Sequence, residues 1–257
     1  FKHHENSLYP RVNHYKHYLI KLISMKKIIV FLISMSFSFA INAQGIIGAW
    51  QTTSVSENGD QLKRVVIFAE GYQVLTTYDA TTGQFIHTNG GTWKLEGDIM
   101  TEKIEFDTDN PELVGNEVSF KVLFTDNEIE IVDSNMKFKR IDNGSPGKLQ
   151  GAWLMSGRIR DGVTQLRDTN RPRKTMKILS GTRFQWIAYN TETKQFMGSG
   201  GGTYTTKNGE YNENIEFFSR DDSKAGLSLK FNFELINGKW HHSGLSSKGD
   251  PIHEIWS

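Results

Sequence analysis

From residue 48 onward the chain alternates hydrophobic and polar residues in short runs that are rich in β-branched and aromatic side chains. Alternation with a period of two is typical of β-strands, and no helical period extends beyond one turn. Gly, Asn and Asp pairs such as Glu70-Gly71, Asn208-Gly209 and Asn237-Gly238 separate the runs and predict tight turns. The predicted strands are Gly48–Ser54, Arg64–Ala69, Tyr72–Tyr78, Gln84–Thr88, Gly90–Leu95, Ile99–Asp107, Val118–Phe124, Glu128–Val132 and Lys137–Ile141, followed by Ala152–Arg158, Thr175–Leu179, Arg183–Tyr189, Gln195–Met197, Thr203–Thr206, Tyr211–Phe218, Ser228–Ile236 and Lys239–Ser243.

The strand pattern occurs twice. A shift of 111 residues places Gly90–Phe106 on Gly201–Phe217 and matches Ile67, Tyr78, Glu102 and Phe120 with identical residues. Gly48-Ala49-Trp50 matches Gly151-Ala152-Trp153 at a shift of 103, so the second copy has eight extra residues in its first loop. Repetition at a fixed distance indicates one architecture built twice.

Each copy has eight or nine predicted strands in about 100 residues, which favours an antiparallel barrel over a flat, exposed sheet. The predicted fold class is therefore all-β, with two tandem small barrels. The breaker cluster Asn143–Gly147 predicts the boundary between them, giving domains 44–144 and 145–257. Because each copy has its own strands, we expect the second one to fold alone.

The N-terminal 43 residues predict processing and export. Lys26-Lys27, the apolar run that follows and Ala43 have the pattern of a signal peptide over 25–43, which predicts a periplasmic or extracellular protein with no stable membrane span after cleavage. The chain starts with Phe, so residues 1–24 are interpreted as upstream translation or part of a fragment.

Without residues 1–43 the chain has 24 basic and 28 acidic residues, a net charge of −4, which argues against a nucleic-acid partner. It has no cysteine, which excludes disulfides and thiolate sites.

The two Gly-x-Trp sequences, each on the first predicted strand of a barrel, resemble the signature of lipocalins. The longer blocks, such as Gly200–Phe217, resemble secreted bacterial lipocalin-like domains of uncharacterised function. The resemblance implies a barrel with a ligand cavity, in which the tryptophan closes the base and an arginine from the last strand covers it. Arg140 fits that arginine in the first copy. The second copy ends at Ser257 without one, which suggests truncation.

Pairing across the predicted turns shows which side chains share a face. The turn at Asn208-Gly209 pairs Tyr204 with Glu213, and the turn at Asn237-Gly238 pairs Phe233 with His242. Since these faces are apolar, the interior of the second barrel is predicted to hold Tyr204, Glu213, His242 and Trp240, with Trp186 on its wall if that face turns inward. Tyr204 and His242 are the predicted partners of Glu213, because a buried carboxylate needs partners.

The first barrel has Glu102 where the second has Glu213, but Ile131 where the second has His242. This comparison predicts that the second barrel is the specialised one. Glu105 and Glu216 lie on the opposite face and are predicted to be solvated. The loop Arg158–Lys174 is rich in arginine, and it is interpreted either as a solvated loop or as a site that attracts an anionic ligand.

These patterns predict an exported binding protein for a small, mainly apolar molecule, with Tyr204, Glu213, His242, Trp240 and Trp186 as ligand-binding residues. No cofactor, metal site or catalytic residue is predicted, and the oligomeric state is left open. Two alternatives remain: an enzyme with a Glu213/His242 acid–base pair, and a structural or surface-interaction module with filled barrels. The volume inside the second barrel is expected to separate them.

Overall fold

The computed structural model describes residues 45–145 and 147–257, so the predicted signal peptide and the segment before it lie outside the described residues. The fold class is confirmed: the chain forms two closed, eight-stranded antiparallel β-barrels in tandem. The two-repeat architecture is confirmed with it. Three single-turn 3-10 helices, at Pro111–Leu113, Val132–Ser134 and Asp222–Lys224, lie in connections between strands.

Barrel 1 is an up-and-down meander in which each strand pairs with its neighbours in sequence, and the last strand pairs with the first. Its strands are β1 (Gly48–Val55), β2 (Gln61–Ala69), β3 (Tyr72–Asp79), β4 (Phe85–Glu96), β5 (Ile99–Asp107), β6 (Glu117–Phe124), β7 (Glu128–Ile131) and β8 (Met136–Asp142).

Barrel 2 repeats this plan, and β17 closes it by pairing with β9. The extra residues of its first loop form one additional strand, β10, which extends β9 as a hairpin. The strands are β9 (Gly151–Arg160), β10 (Val163–Leu166), β11 (Arg173–Leu179), β12 (Arg183–Asn190), β13 (Gln195–Lys207), β14 (Glu210–Phe218), β15 (Ser228–Ile236), β16 (Lys239–Leu245) and β17 (Pro251–Trp256).

The predicted hairpin registers are confirmed, and even the irregularities repeat. Tyr204 pairs with Glu213, Phe233 pairs with His242, and Trp93 pairs with Glu102. A β-bulge interrupts β4 at Gly90/Gly91 and β13 at Gly201/Gly202. A Cβ at either Gly91 or Gly202 would lie 2.0 Å from a carbonyl oxygen of the facing strand, so only glycine allows this close approach at the bend.

One end of each barrel is closed around the tryptophan of its Gly-x-Trp sequence. Trp50 Nε1 donates to Ile46 O, and Trp153 Nε1 donates to Leu149 O, both at 2.9 Å. In barrel 1 the Arg140 guanidinium lies 3.8 Å from the centre of the Trp50 ring and donates to Ile47 O at 3.0 Å. This is the arrangement that the resemblance to lipocalins implies for the first copy.

A third hydrophobic core lies between the barrels. It is built from outward-facing residues of both, and all of them are almost fully buried: Ala49, Val65, Ile67, Ala69, Val74, Tyr78 and Phe106 from barrel 1, and Met176, Ile178, Ile187, Tyr189 and Phe217 from barrel 2. Each strand that contributes is therefore covered on its inner and its outer face. The shared core argues against the expectation that the second copy folds alone.

Equivalent polar residues from the two barrels border this core. Glu105 accepts hydrogen bonds from Lys174 Nζ at 3.1 Å and from the Tyr189 hydroxyl. Glu216 accepts one from Lys63 Nζ at 2.8 Å and another from the Tyr78 hydroxyl, the equivalent residues of barrel 1. The glutamate of each barrel thus binds the equivalent lysine and tyrosine of the other barrel.

This contact corrects the prediction that Glu105 and Glu216 are solvated. The pattern shows only that their side chains point out of their own barrel, and the neighbouring barrel takes the place of solvent. Burial by itself would raise the pKa of Glu216, but Arg183, at 2.5 Å, and Lys63 and Tyr78 together lower it below its usual value. Glu216 is therefore a carboxylate at neutral pH.

The end of β8 is fixed to barrel 2 through Asp142. Its carboxylate accepts hydrogen bonds from Ser180 Oγ at 2.8 Å and from the backbone N–H groups of Gly181 and Thr182, each at 3.0 Å. The residue just before the predicted linker is thus fixed to barrel 2. Residues Gly45–Ser257 form one compact unit.

Candidate functional site: the interiors of the two barrels

The structure brings the five predicted ligand-binding residues together on the inner face of barrel 2. Tyr204, Glu213, His242 and Trp240 are all buried, with at most 4% of their surface exposed, and Trp186 is half-buried in the same cluster. The inward orientation that was left open for Trp186 is therefore the observed one. Their role in binding stays a prediction.

The partner of Glu213 is Lys177, which corrects the predicted pairing with Tyr204 and His242. Lys177 Nζ lies 2.7 Å from Glu213 Oε1, and both side chains are buried. The same ammonium lies 5.1–5.7 Å from the ring centres of four aromatic residues, which surround it with negative ring faces: Tyr211, Phe231, Trp240 and Trp256. The Lys177 ammonium therefore occupies the interior of barrel 2, where a ligand cation could otherwise pair with Glu213.

Tyr204 and His242 have other hydrogen-bond partners. The Tyr204 hydroxyl donates to Ser180 O at 2.6 Å, and burial, followed by the charge of Asp142, raises its pKa. His242 Nδ1 lies 3.3 Å from Glu254 Oε2. Burial and then the Lys177 charge lower the pKa of His242, so this imidazole is neutral at pH 7.

This geometry gives no support to the acid–base alternative. No hydrogen bond joins Glu213 to His242 among the described residues, since Glu213 accepts from Lys177 Nζ and His242 Nδ1 lies beside Glu254. An acid–base pair has to reach a substrate proton as well as each other. Here Glu213 is paired with Lys177 and His242 Nδ1 with Glu254, while the buried His242 Nε2 has no partner among the described residues.

Barrel 1 contains a cavity of about 420 Å³, which lies in the usual range for small-molecule sites. It extends from Trp50 at the closed end to the connections at the opposite end. Most of its wall is aliphatic or aromatic, and it is lined by Ile46, Trp50, Val66, Phe68, Gln73, Leu75, Asn89, Met100, Glu102, Ile104, Asp107, Leu113, Val118, Phe120, Val122, Ile129, Ile131, Asp133, Ser134, Met136 and Phe138.

Two polar side chains in this cavity have no partner among the described residues. Glu102 is 8% exposed and makes no hydrogen bond or ion pair there, and its burial raises the pKa of its carboxyl group to about 7. The Gln73 amide nitrogen is buried and also makes no hydrogen bond. Buried polar groups are normally paired, so these two are where a polar group of a ligand would be accommodated.

The charge around the cavity has one sign. Its described lining includes three carboxylic acids, Glu102, Asp107 and Asp133, and no lysine, arginine or histidine. Asp107 accepts hydrogen bonds from the backbone N–H groups of Asp109 and Asn110, both at 2.9 Å. The cavity therefore favours a cationic group over an anionic one.

The difference between the interiors follows from residue size at equivalent positions. At the 111-residue shift, Met100, Ile129 and Ile131 of barrel 1 correspond to Tyr211, Trp240 and His242 of barrel 2. Val122, Leu75 and Gln73 likewise correspond to Phe233, Trp186 and Phe184, and Val66 corresponds to Lys177. At six of these seven positions the side chain of barrel 2 is the larger one, and only His242 is no larger than its counterpart, Ile131. The larger side chains occupy the space in barrel 2 that is empty in barrel 1.

Sequence reasoning missed Lys177 and the cavity of barrel 1. A signal for Lys177 was available, because Trp153, Trp186 and Lys177 are cross-strand neighbours and Lys177 replaces Val66 of the first copy. A lysine at an inward position requires a carboxylate, and Glu213 is the inward acid of the same barrel. The cavity had no comparable signal.

Two other features of the described residues bear on function. No group of three His, Asp or Glu side chains in that part of the chain is arranged to hold a metal ion. No helix there combines the length and apolar character needed to cross a membrane.

The comparisons with known proteins assign no family to the chain. Neither the protein-family models nor the curated proteins include a match to it. The two barrels are consistent with a lipocalin-like fold, and the fold is compatible with ligand binding. Any functional assignment must therefore be argued from the interiors.

Proposed function

We propose that the protein binds a small, mainly apolar molecule in barrel 1, and that the molecule carries a basic nitrogen that pairs with Glu102. One observation carries the proposal: a cavity of about 420 Å³ with an apolar wall surrounds a buried carboxyl group without a partner. The leader sequence adds the proposal that binding takes place outside the cytoplasm.

Barrel 2 supports the choice of a basic nitrogen. Its equivalent carboxylate, Glu213, binds an ammonium at 2.7 Å that belongs to Lys177. Barrel 1 has the same carboxylate but Val66 in place of the lysine, so the ammonium would have to come from a ligand. A protonated amine beside Glu102 would also lower the pKa of that carboxyl group from about 7, so that both partners are charged.

The wall supports an apolar body for the ligand. Trp50, Phe68 and Phe138 line the closed end, and aliphatic side chains surround the middle of the cavity. Burying apolar surface stabilises a complex by about 25 cal/mol per Å² before the costs of association are deducted. The apolar part of the ligand is expected to provide most of the affinity. The contact with Glu102 is expected to provide orientation and selectivity.

A series of matched probes tests this proposal on the full chain. Decylamine, decanol and decanoic acid share one alkyl chain and differ in the polar end, and isothermal titration calorimetry at pH 8 compares their affinities. Decylamine is expected to bind most tightly and decanoic acid least. Glu102→Gln should weaken the affinity for decylamine by about tenfold or more, the usual loss for a hydrogen bond to a charged group. It should leave the affinity for decanol nearly unchanged.

Val66→Lys provides the second arm. This substitution copies Lys177 into barrel 1, where the new ammonium should pair with Glu102 and occupy the cavity, so that decylamine binding is lost. His242→Gln is the control in barrel 2 and should leave decylamine affinity unchanged. A loss in His242→Gln without a loss in Glu102→Gln would place the ligand in barrel 2, and either equal losses in the two variants or no binding of any probe would contradict the proposal.

Barrel 2 fits the structural alternative better than barrel 1 does. Its interior contains a paired lysine and glutamate among packed aromatic rings, and its outer face forms half of the shared core. We propose that barrel 2 mainly supports barrel 1 through this contact.

A further inference from the structure

The arginine-rich first loop of barrel 2 forms a second hollow, separate from the cavity of barrel 1. The β9–β10 hairpin and the segment that leads into β11 surround a space of about 480 Å³. It is lined by Met155, Gly157, Arg158, Gln165, Leu166, Arg167, Arg171 and Arg173. These are the residues that the second copy has in excess of the first, together with the strand ends beside them.

Four guanidinium groups converge on this hollow without a neutralising acid. They come from β9, from the segment after β10 and from the start of β11, and the described lining contains no carboxylate. None of the four forms an ion pair with a described Asp or Glu. Asp168, the nearest acid in the sequence, instead accepts a hydrogen bond from Asn170 N at 2.9 Å.

The loop holds two of these arginines in place. Arg167 is half-buried, and it donates to Arg173 O at 3.1 Å and lies 3.7 Å from the Met155 sulfur. Arg158 Nε donates to Gln165 Oε1 at 3.0 Å across the hairpin. Burial, and after it the charges of Arg173, Arg171 and Arg158, lower the pKa of Arg167. The charges of the other three arginines therefore repel that of Arg167, and a bound anion would relieve this repulsion.

We propose that this hollow binds a soluble phosphorylated small molecule through Arg158, Arg167, Arg171 and Arg173. A guanidinium presents its N–H groups as a planar fork that matches the oxygens of a phosphate group, and several forks can neutralise more than one charge. The apolar part of the hollow, Leu166 and Met155, would contact the rest of the molecule. The space is larger than one phosphate needs, which favours a pyrophosphate or a phosphate ester.

The test uses inorganic pyrophosphate as the probe, with isothermal titration calorimetry on the full chain at about 0.15 M salt, where distant charges are screened. Arg171→Gln and Arg167→Gln should each weaken binding by about tenfold or more, the usual loss for a charged hydrogen bond. Arg160→Gln is the matched control, because Arg160 lies on the same hairpin outside the hollow and its loss changes the net charge equally. Its effect should stay below about twofold, as expected for a distant surface charge under salt screening.

The outcomes distinguish a specific binding site from nonspecific attraction by positive charge. Equal losses for Arg160→Gln and Arg171→Gln, or no heat with pyrophosphate, would overturn the proposal. Tighter binding of citrate than of pyrophosphate would overturn the assignment to phosphate. Sedimentation with phosphatidylcholine vesicles that contain phosphatidic acid is the last arm, and binding to vesicles without binding to pyrophosphate would assign the arginines to a membrane surface instead. Arg171 is exposed, so a failure of Arg167→Gln to fold would leave the test intact.

Discussion

Apart from the extra strand β10, barrel 1 and barrel 2 share their strand plan and hairpin registers, yet barrel 1 encloses a cavity while the interior of barrel 2 is packed with aromatic side chains around an ion pair. Both have a buried glutamate at the same place on the fifth strand of the barrel meander, Glu102 and Glu213. Barrel 2 supplies a lysine to its glutamate and surrounds the pair with aromatic side chains. Barrel 1 has valine and smaller aliphatic residues at the equivalent positions, and its glutamate faces a cavity.

The comparison shows that strand pairing and interior volume are specified separately. Backbone hydrogen bonds and turn residues determine the barrel, and they tolerate either interior. The inward side chains then decide whether the space holds protein atoms or a ligand. The outer faces behave differently, because both copies bury the same outer face against each other.

The largest expected effect comes from separating the barrels. A fragment of residues 147–257 exposes five large shared-core residues, Met176, Ile178, Ile187, Tyr189 and Phe217. At about 2 kcal/mol for each, the lost burial amounts to about 10 kcal/mol, as large as the whole stability of a typical domain. We expect no cooperative thermal transition of a monomeric fragment by circular dichroism, with sedimentation used to establish its mass. A monomeric fragment that unfolds near the temperature of the full chain would show that the shared core is dispensable.

Lys177→Met should have the next largest effect, because it leaves Glu213 buried without its partner. The free energy of unfolding, measured by denaturant titration, should fall by about 3–5 kcal/mol. Adding Glu213→Gln should restore part of the loss, since the remaining carboxylate charge is then removed. Val66→Met is the matched control in barrel 1 and should cost far less. If Lys177→Met is nearly neutral and the second substitution restores nothing, the central ion pair does not stabilise barrel 2.

The smallest of the three effects depends on pH and concerns Glu102. Its pKa is raised from 4.5 to about 7 in the folded protein, so the folded state binds the proton more tightly than the unfolded state does. The contribution of this group to stability is present below pH 4.5 and is lost as the pH rises through 7. As the pH rises from 4 to 8, the free energy of unfolding of the parent chain should therefore fall by about 3 kcal/mol relative to that of Glu102→Gln.

Denaturant titrations of both proteins at the two pH values measure this gain, and Glu117→Gln, at an exposed position of β6, is the control. A difference between parent and Glu102→Gln that is the same at pH 4 and pH 8 would mean that Glu102 has a partner after all. Repeating the titration with saturating decylamine should reduce the pH dependence, because the bound amine would favour the charged carboxylate.

Several features could be predicted from local patterns. The period-two alternation and the Asn-Gly turns predicted the strands, and the pairings Tyr204–Glu213 and Phe233–His242 followed from turn geometry. The continuous apolar run Val65–Ala69 also held information about the shared core, since strands covered on both faces lose their alternation. The alternation along β5 and β14 by itself indicates only that Glu105 and Glu216 point out of their own barrel, which is why the prediction that they are solvated is wrong.

By itself, the sequence determined that this protein is all-β, that it is built twice and which side chains point into each barrel, because these properties depend on residues that are close along the chain or joined by a tight turn. Only the tertiary structure decided that Lys177 reaches Glu213, that the outer faces form a common core and that barrel 1 is hollow. A cavity is a small difference between the space inside eight strands and the summed volume of many side chains from all of them. Such a difference cannot be read from one strand or one pair, since it depends on how every inward side chain is placed at once.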